Sequence, residues 1–186
     1  RATLGGMVNT DACGKGSRIY GRTSDHVLEL TCVLSNGEVL ESVPLEPEAL
    51  SEYKKKSGIS ANIFKIVDQV VSEKTNLIQE VFPKMSRFMT GYNLAKVYGN
   101  SENNFNLNYL LSGSEGTLAV VSKAKLRLTP LPKHKSLLVV KYKTFDDALS
   151  DAEMLLKSDP AAIETIDEKI LSLAKEDEIY LKIKDF

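Results

Sequence analysis

With 186 residues, 42% of them apolar, the chain has the hydrophobic material for one medium domain, or for one domain and the beginning of another. Twenty-four basic residues against 25 acidic ones leave a net charge of −1, so no global field attracts nucleic acid or an anionic lipid surface. No apolar run approaches the ~20 residues that span a bilayer, no signal peptide stands at the start, and two cysteines, Cys13 and Cys32, are too few and too far apart for a metal site of their own.

Residues 1–25 are rich in Gly, Thr, Ser and Asn without long apolar periodicity, which predicts a loop with a short helix. A start at Arg1, directly in a glycine-rich motif, suggests a fragment, and two reduced cysteines suit the cytoplasm. Val27 to Val33 (VLELTCV) favours a strand, and Ser35-Asn36-Gly37 separates it from Glu38 to Val43, the pattern of a hairpin. Pro44 and Pro47 break that pattern, and Lys54-Lys55-Lys56 reads as solvated helix surface. With Ser60 as N-cap, Ile63, Ile66, Val67, Val70 and Val71 recur at helical spacing. Leu77, Ile78 and Val81 either extend that helix or form another, which Pro83 ends.

The stretch 100–106 (NSENNFN) reads as a polar surface loop, and Asn108 to Leu111 as a short apolar approach to the turn Ser112-Gly113-Ser114-Glu115-Gly116. Thr117 to Leu128 predicts a long strand, in which Ala124, Leu126 and Leu128 alternate with Lys123, Lys125 and Arg127, so one face is expected to be buried. Pro130 and Pro132 mark a linker. Leu137 to Tyr142 then predicts a strand, and Thr144 opens a helix with Asp146 and Asp147 in its first turn. Asp159-Pro160 stops that helix, and Ile163 to Ile166 predicts the next strand of a β-α-β unit.

Two nucleotide-binding signatures are excluded. Gly14-Lys15-Gly16-Ser17 lacks the spacing of a phosphate loop, and a dinucleotide-binding GxGxxG needs glycine where Ile19 stands. What remains is a pair of glycine-rich segments, Ala2 to Gly14 and Ser112 to Val121, roughly a hundred residues apart. Adjacent glycines let a backbone approach a ligand closely and aim N–H groups at it, and Thr and Ser hydroxyls add uncharged donors. That composition suits a large polar cofactor, although glycine turns are more often only turns.

Longer runs carry a resemblance. ATLGGMVNTDACGKGSRIYGRTSDHVLEL, TGYNL (Thr90 to Leu94) and SGSEGTLAVVSKAKLRLTPLP (Ser112 to Pro132) follow one another in the order of three motifs of the vanillyl-alcohol-oxidase type FAD-linked oxidases, with their FAD-binding PCMH-type domain. The insertion before TGYNL and the run Ile163 to Asp177 are similar to those of the large bacterial FAD and iron–sulfur dehydrogenases of D-2-hydroxyglutarate or D-lactate, the glycolate-oxidase-subunit-like group. The resemblance implies an α+β fold, an antiparallel or mixed sheet flanked by helices. Residues 1–132 would form the second subdomain of an FAD-binding domain, with a helical insertion at about 45–83. Residues 133–186 would begin a β-α-β substrate or cap domain, truncated.

The activity so implied is oxidation of a D-2-hydroxy acid to the 2-oxo acid, by hydride transfer to FAD and onward to an electron acceptor. An oxidoreductase for another alcohol, such as glycolate, and a non-catalytic ligand-binding or assembly domain that retains the fold are the other readings. Carried over by position, cofactor contacts fall on Thr3, Gly5, Gly6, Thr10, Asp11, Ala12 and Cys13, and on Glu115, Gly116, Thr117, Leu118, Ala119, Val120 and Val121. Ala119 departs from the family's usual glycine, where its methyl would crowd the cofactor if φ were positive, and Asn93 replaces an aspartate. Near the substrate side stand Arg87, a carboxylate holder or a surface arginine, and Tyr92, substrate-facing or packing. No catalytic residue is assigned: the family's first FAD subdomain would precede Arg1, and its catalytic histidines and any iron–sulfur cysteines would follow Phe186. On that ground the isolated piece is expected to be inactive and to hold FAD weakly. His26 beside Asp25 and His134 in the linker read as structural and exposed, and Glu115 as a loop cap accepting backbone N–H bonds.

Overall fold

A computed structural model describes residues 2–85, 91–99 and 104–183. Residues 2–26 hold three short helices, α1 (Leu4–Asn9), α2 (Ser17–Tyr20) and α3 (Thr23–His26), more helix than their loop-like composition predicts. Thr3 caps α1 by accepting from Gly6 N at 3.1 Å. The chain then runs directly into β1 (Val27–Val33), and the Asn-Gly turn returns it as β2 (Val39–Ser42), antiparallel to β1 as the hairpin pattern predicts. Gly37 has φ +84, the conformation that glycine adopts at no steric cost.

The helical insertion holds α4 (Pro47–Lys55), α5 (Ile59–Glu73) and α6 (Thr75–Val81), so Leu77, Ile78 and Val81 belong to a separate helix. Ser60 is not the N-cap of α5. It lies in the first turn, and the cap is supplied from the hairpin: Glu38 accepts from Ile59 N and Ser60 N, both at 3.1 Å. Donation from Ser60, Asn36 and Ile59 holds the Glu38 carboxyl below its ordinary range. The three lysines at the end of α4 make contacts: Lys54 pairs with Asp68 of α5, Lys55 with Glu52, and Lys56, the C-cap, lies 3.9 Å over the Tyr53 ring.

After a 3₁₀ turn at Leu94–Lys96 comes α7 (Asn108–Leu111), and then β3 (Val120–Leu126). The sheet order is β2-β1-β3, antiparallel throughout, with register shifts in the β1–β3 ladder at Val27/Glu29 and Thr31/Cys32. This is the α+β arrangement of a sheet with flanking helices.

Phe105 corrects the polar-loop reading at its described end. It is fully buried, bridges Leu45 and Tyr98 through its backbone, and lies 5.8 Å from the Phe64 ring and 5.5 Å from the Tyr98 ring. Tyr53 packs on Phe64 at 5.0 Å. Burying side chains of this size is worth about 1.5–3 kcal/mol each, so this cluster anchors the insertion to the sheet. Residues 100–103 lie outside the described residues.

The chain divides into two compact units, Arg1–Pro130 and Leu131–Phe186. In the first, the alternation at the end of β3 does not become burial: Ala124 is exposed, Leu126 only partly covered and Leu128 89% exposed. The pattern is present, but no layer among the unit's described residues covers that face. The second unit holds α8 (Phe145–Leu156), α9 (Glu168–Glu176) and α10 (Glu178–Ile183). Thr144 caps α8 by accepting from Asp147 N at 3.1 Å, and Asp167 caps α9 by accepting from Ile170 N at 2.8 Å. The strands expected at 137–142 and 163–166 are not formed among the described residues. A strand needs a neighbour for its N–H and C=O groups, and local β preference cannot supply one.

Candidate functional site

The two glycine-rich segments meet. Val8 and Asn9, at the end of α1, offer carbonyls that accept from Gly113 N and Glu115 N, each at 2.9 Å. Asn108 sets the approach of the second segment: fully buried, it donates from Nδ2 to Leu28 O at 3.0 Å and holds α7 against β1. Gly113, at φ +79, lies so close to Asp11 that a Cβ there would stand 3.1 Å from the Asp11 Cβ. Glycine is therefore required at 113 both by conformation and by space.

Beyond it, Ser114 O accepts from Thr117 N at 3.0 Å, and Glu115 (φ 52) and Gly116 (φ 78) are both left-handed. Positive φ at both central positions is the mark of a type I′ turn. The N–H of Glu115 ties this turn down, while its exposed carboxylate has no hydrogen-bond partner among the described residues, so the capping role expected of that carboxylate is not realised.

Within the first segment, Thr3, Gly5, Gly6 and Thr10 are exposed, and Ala12 and Cys13 partly so. Thr10 spends its hydroxyl proton on Gly6 O at 2.8 Å. Ala12 O accepts from Thr23 Oγ1 at 2.7 Å. Asp11 is buried, and its carboxylate turns inward, accepting from Ser24 N at 2.8 Å, from Ser24 Oγ at 3.1 Å and from the Arg22 guanidinium at 2.9 Å. It fastens the loop after α1 to α3.

In the second segment Glu115, Gly116, Thr117 and Val120 are exposed, whereas Leu118, Ala119 and Val121 pack into or against the core. The Ala119 φ is not positive and its methyl is buried, so the loss of the family's glycine costs no strain here. Asn93 is buried as well, and the carbonyl of its amide lacks a partner among the described residues. Tyr92 is 44% exposed, and its hydroxyl lies 2.8 Å from Thr117 Oγ1. Arg87 lies outside the described residues.

Two glycines on this surface have no internal explanation by packing. A Cβ on Gly5 or on Gly116 would meet nothing within 4 Å. Gly116 is accounted for by its positive φ, but Gly5 sits within α1, where alanine is favoured by about 1 kcal/mol. Gly6 is different, since its neighbour is the capping Thr3 hydroxyl at 3.1 Å.

The titratable groups beside these segments are engaged with the protein itself. Asp25, at the end of α3, is held below the ordinary aspartate range: burial works to raise it, but the Arg22 N–H and the Lys96 ammonium, 2.8 Å away, outweigh burial. His26 Nε2 donates to Tyr20 O at 2.6 Å, which gives that ring a structural task. Burial pushes the Cys32 thiol up to about 11, and both cysteines are free. No cluster of potential metal ligands occurs among the described residues, and no described helix is long and apolar enough to cross a membrane. Sequence reasoning did not foresee Arg22 and Ser24 as the partners of Asp11, although all three lie in the motif-bearing run. Nor did it foresee the contact between Tyr92 and Thr117, for which spacing offers no signal.

Comparison with known proteins completes the picture. An FAD binding domain family model matches residues 1–42. The whole chain aligns with D-2-hydroxyglutarate dehydrogenase of Escherichia coli (strain K12), 43% identical over 185 residues that are 18% of the relative. It aligns equally with D-2-hydroxyglutarate dehydrogenase of Pantoea ananatis (strain AJ13355), 44% identical over 188 residues, again all of this chain and 18% of the relative. D-lactate dehydrogenase of Archaeoglobus fulgidus is 26% identical over 175 residues, 94% of this chain and 28% of the relative. The chain thus spans about a fifth of the length of these D-2-hydroxyglutarate dehydrogenases. No solved structure gives a significant match. Residues 1–42 thus match an FAD binding domain, and the whole chain is similar to a segment of D-2-hydroxyglutarate dehydrogenases.

Proposed function

We propose that this chain supplies the second half of an FAD site in a dehydrogenase that oxidises a D-2-hydroxy acid of the D-2-hydroxyglutarate type to the 2-oxo acid. The observation that carries the reading is the hydrogen-bonded union of the two glycine-rich segments, from which Gly5, Gly6 and Thr10 on one side and Gly116 and Thr117 on the other stand exposed. Alignment of the whole chain with a segment of D-2-hydroxyglutarate dehydrogenases points the substrate reading toward that acid. On this reading residues 1–132 are the second FAD subdomain, the helical insertion is at about 45–83, and residues 133–186 begin the substrate domain.

Thr3, Gly5, Gly6, Thr10, Ala12 and Cys13 and the turn at 115–117 would hold the cofactor, with Leu118, Ala119 and Val121 supporting that turn from the core. When bound, FAD supplies the two-electron acceptor for hydride from the carbon that bears the hydroxyl. The protein's part here is to seat and orient the cofactor. The electrons then pass to an acceptor outside this chain, and two free cysteines support a reducing, cytoplasmic setting.

The test uses the protein that carries this chain. Gly5→Leu places a good helix former at an open position of α1, so melting temperature should hold or rise while bound flavin falls several-fold. Gly116→Val forces a β-branched residue into a positive φ and should lose flavin as well, with some loss of stability. Flavin content per mole of protein, read from visible absorbance, decides. Full flavin in both variants sinks the reading.

A further inference from the structure

Thr117 closes the Ser114–Thr117 turn, Tyr92 lies 25 residues earlier in the chain, and their hydroxyls lie 2.8 Å apart. Either oxygen alone could be the donor. The ambiguity is resolved by a second bond: Thr117 Oγ1 donates to Ser114 O at 2.5 Å. A hydroxyl has one proton, so Thr117 has none left, and Tyr92 must donate to Thr117 Oγ1. The result is a directed relay, Tyr92 to Thr117 to Ser114 O. Ser114 O also accepts from Thr117 N at 3.0 Å, so the relay ends on the carbonyl that closes the left-handed turn at Glu115 and Gly116.

That turn is costly to hold. A non-glycine residue at positive φ is strained and persists only where its surroundings over-determine it. Glu115 is such a residue, and the Tyr92 relay adds to the bonds that hold its turn closed.

We propose that Tyr92 is a positioning residue, whose hydroxyl proton locks Thr117 onto Ser114 O and so fixes the Ser114–Thr117 turn in the geometry that receives the flavin. This inference rests on the reading of the turn as a cofactor contact. It assigns Tyr92 a task that is neither a substrate contact nor mere packing. The ring stays 44% exposed, and the phenol oxygen presents only acceptor lone pairs outward.

The experiment compares Tyr92→Phe, Thr117→Val, Thr117→Ser and the double variant Tyr92→Phe/Thr117→Val in the protein that carries this chain. Each is stripped of flavin and titrated with FAD by flavin fluorescence, with KM and kcat for the D-2-hydroxy acid measured at saturating FAD. A net hydrogen bond is worth roughly a 3–10-fold change in a binding constant, which sets the expected size. Tyr92→Phe and Thr117→Val should each raise the FAD dissociation constant by about that factor, and the double variant by no more than either alone. Thr117→Ser, which keeps the hydroxyl, should recover most of the FAD affinity that Thr117→Val loses, and Tyr92→Phe should leave KM in place. Two other results overturn the relay while leaving the cofactor surface standing: additive losses, or Tyr92→Phe with unchanged FAD affinity and a raised KM. If Gly5→Leu and Gly116→Val also keep their flavin, the surface itself is not a cofactor site, and the relay falls with it.

Discussion

Asp11 shows how far a residue's role can lie from its motif. It sits in the glycine-rich run, among residues carried over as cofactor contacts, yet its carboxylate serves Ser24 and Arg22. Its φ of 44 is tolerable because aspartate visits the left-handed region more readily than most residues. Removing one partner of a buried ion pair typically costs about 3–5 kcal/mol. Asp11→Ala should therefore destabilise the chain by an amount in that range, measured by urea unfolding. Asp11→Asn should cost less, since an amide oxygen still accepts from Ser24. A flavin loss without a stability loss in Asp11→Ala would mean that the carboxylate faces the cofactor after all.

At the scale of elements, the helical insertion is tied to the sheet by polar contacts as well as by Phe105. Glu38 of the hairpin caps α5, while Asp68 of α5 meets Lys54 of α4 and the Tyr98 hydroxyl. Burial works to raise Asp68, but Lys54 and Tyr98 outweigh it, and Asp68, Asp25 and Glu38 are all held below their ordinary ranges. A carboxyl depressed in the folded state binds its proton more readily in the unfolded one. Its contribution is therefore complete above the unfolded pKa, 3.8 for Asp and 4.5 for Glu, and is lost as pH falls through the lower folded value. The chain should lose stability as pH drops below about 4.5, and Glu38→Gln should flatten part of that loss while speeding amide exchange at Ile59 and Ser60. Unchanged exchange at those two amides would show that Glu38 is not the cap.

For the whole molecule, the division near Pro130 has a direct consequence. Residues 127–141 are exposed, carry no helix or strand, and include Lys133 and Lys135. Extended, uncovered backbone of this kind is what a protease cuts first. Brief trypsin treatment of the 186-residue chain should cleave after Lys133 or Lys135 before any site within β1, β2 or α5, leaving residues 1–133 or 1–135 as the larger resistant piece; mass spectrometry of the first products tests this. First cleavage inside the insertion would mean that the unit ending at Pro130 is less cohesive than its buried aromatic cluster implies.

The sequence by itself determined what neighbours along the chain decide. The Asn-Gly hairpin, the periodicity of α5, the Thr144 cap of α8 and the order of the glycine motifs were all legible, because turn chemistry, capping and side-chain period act over a few residues. Only the tertiary structure decided matters that join distant residues. It turned Asp11 inward, buried Phe105 within an asparagine-rich stretch and replaced Ser60 by Glu38 as the cap of α5. It left 137–142 without a ladder and brought Tyr92 to Thr117. In each case the deciding partner lies many residues away, and a local pattern states what a segment needs without stating which group will provide it.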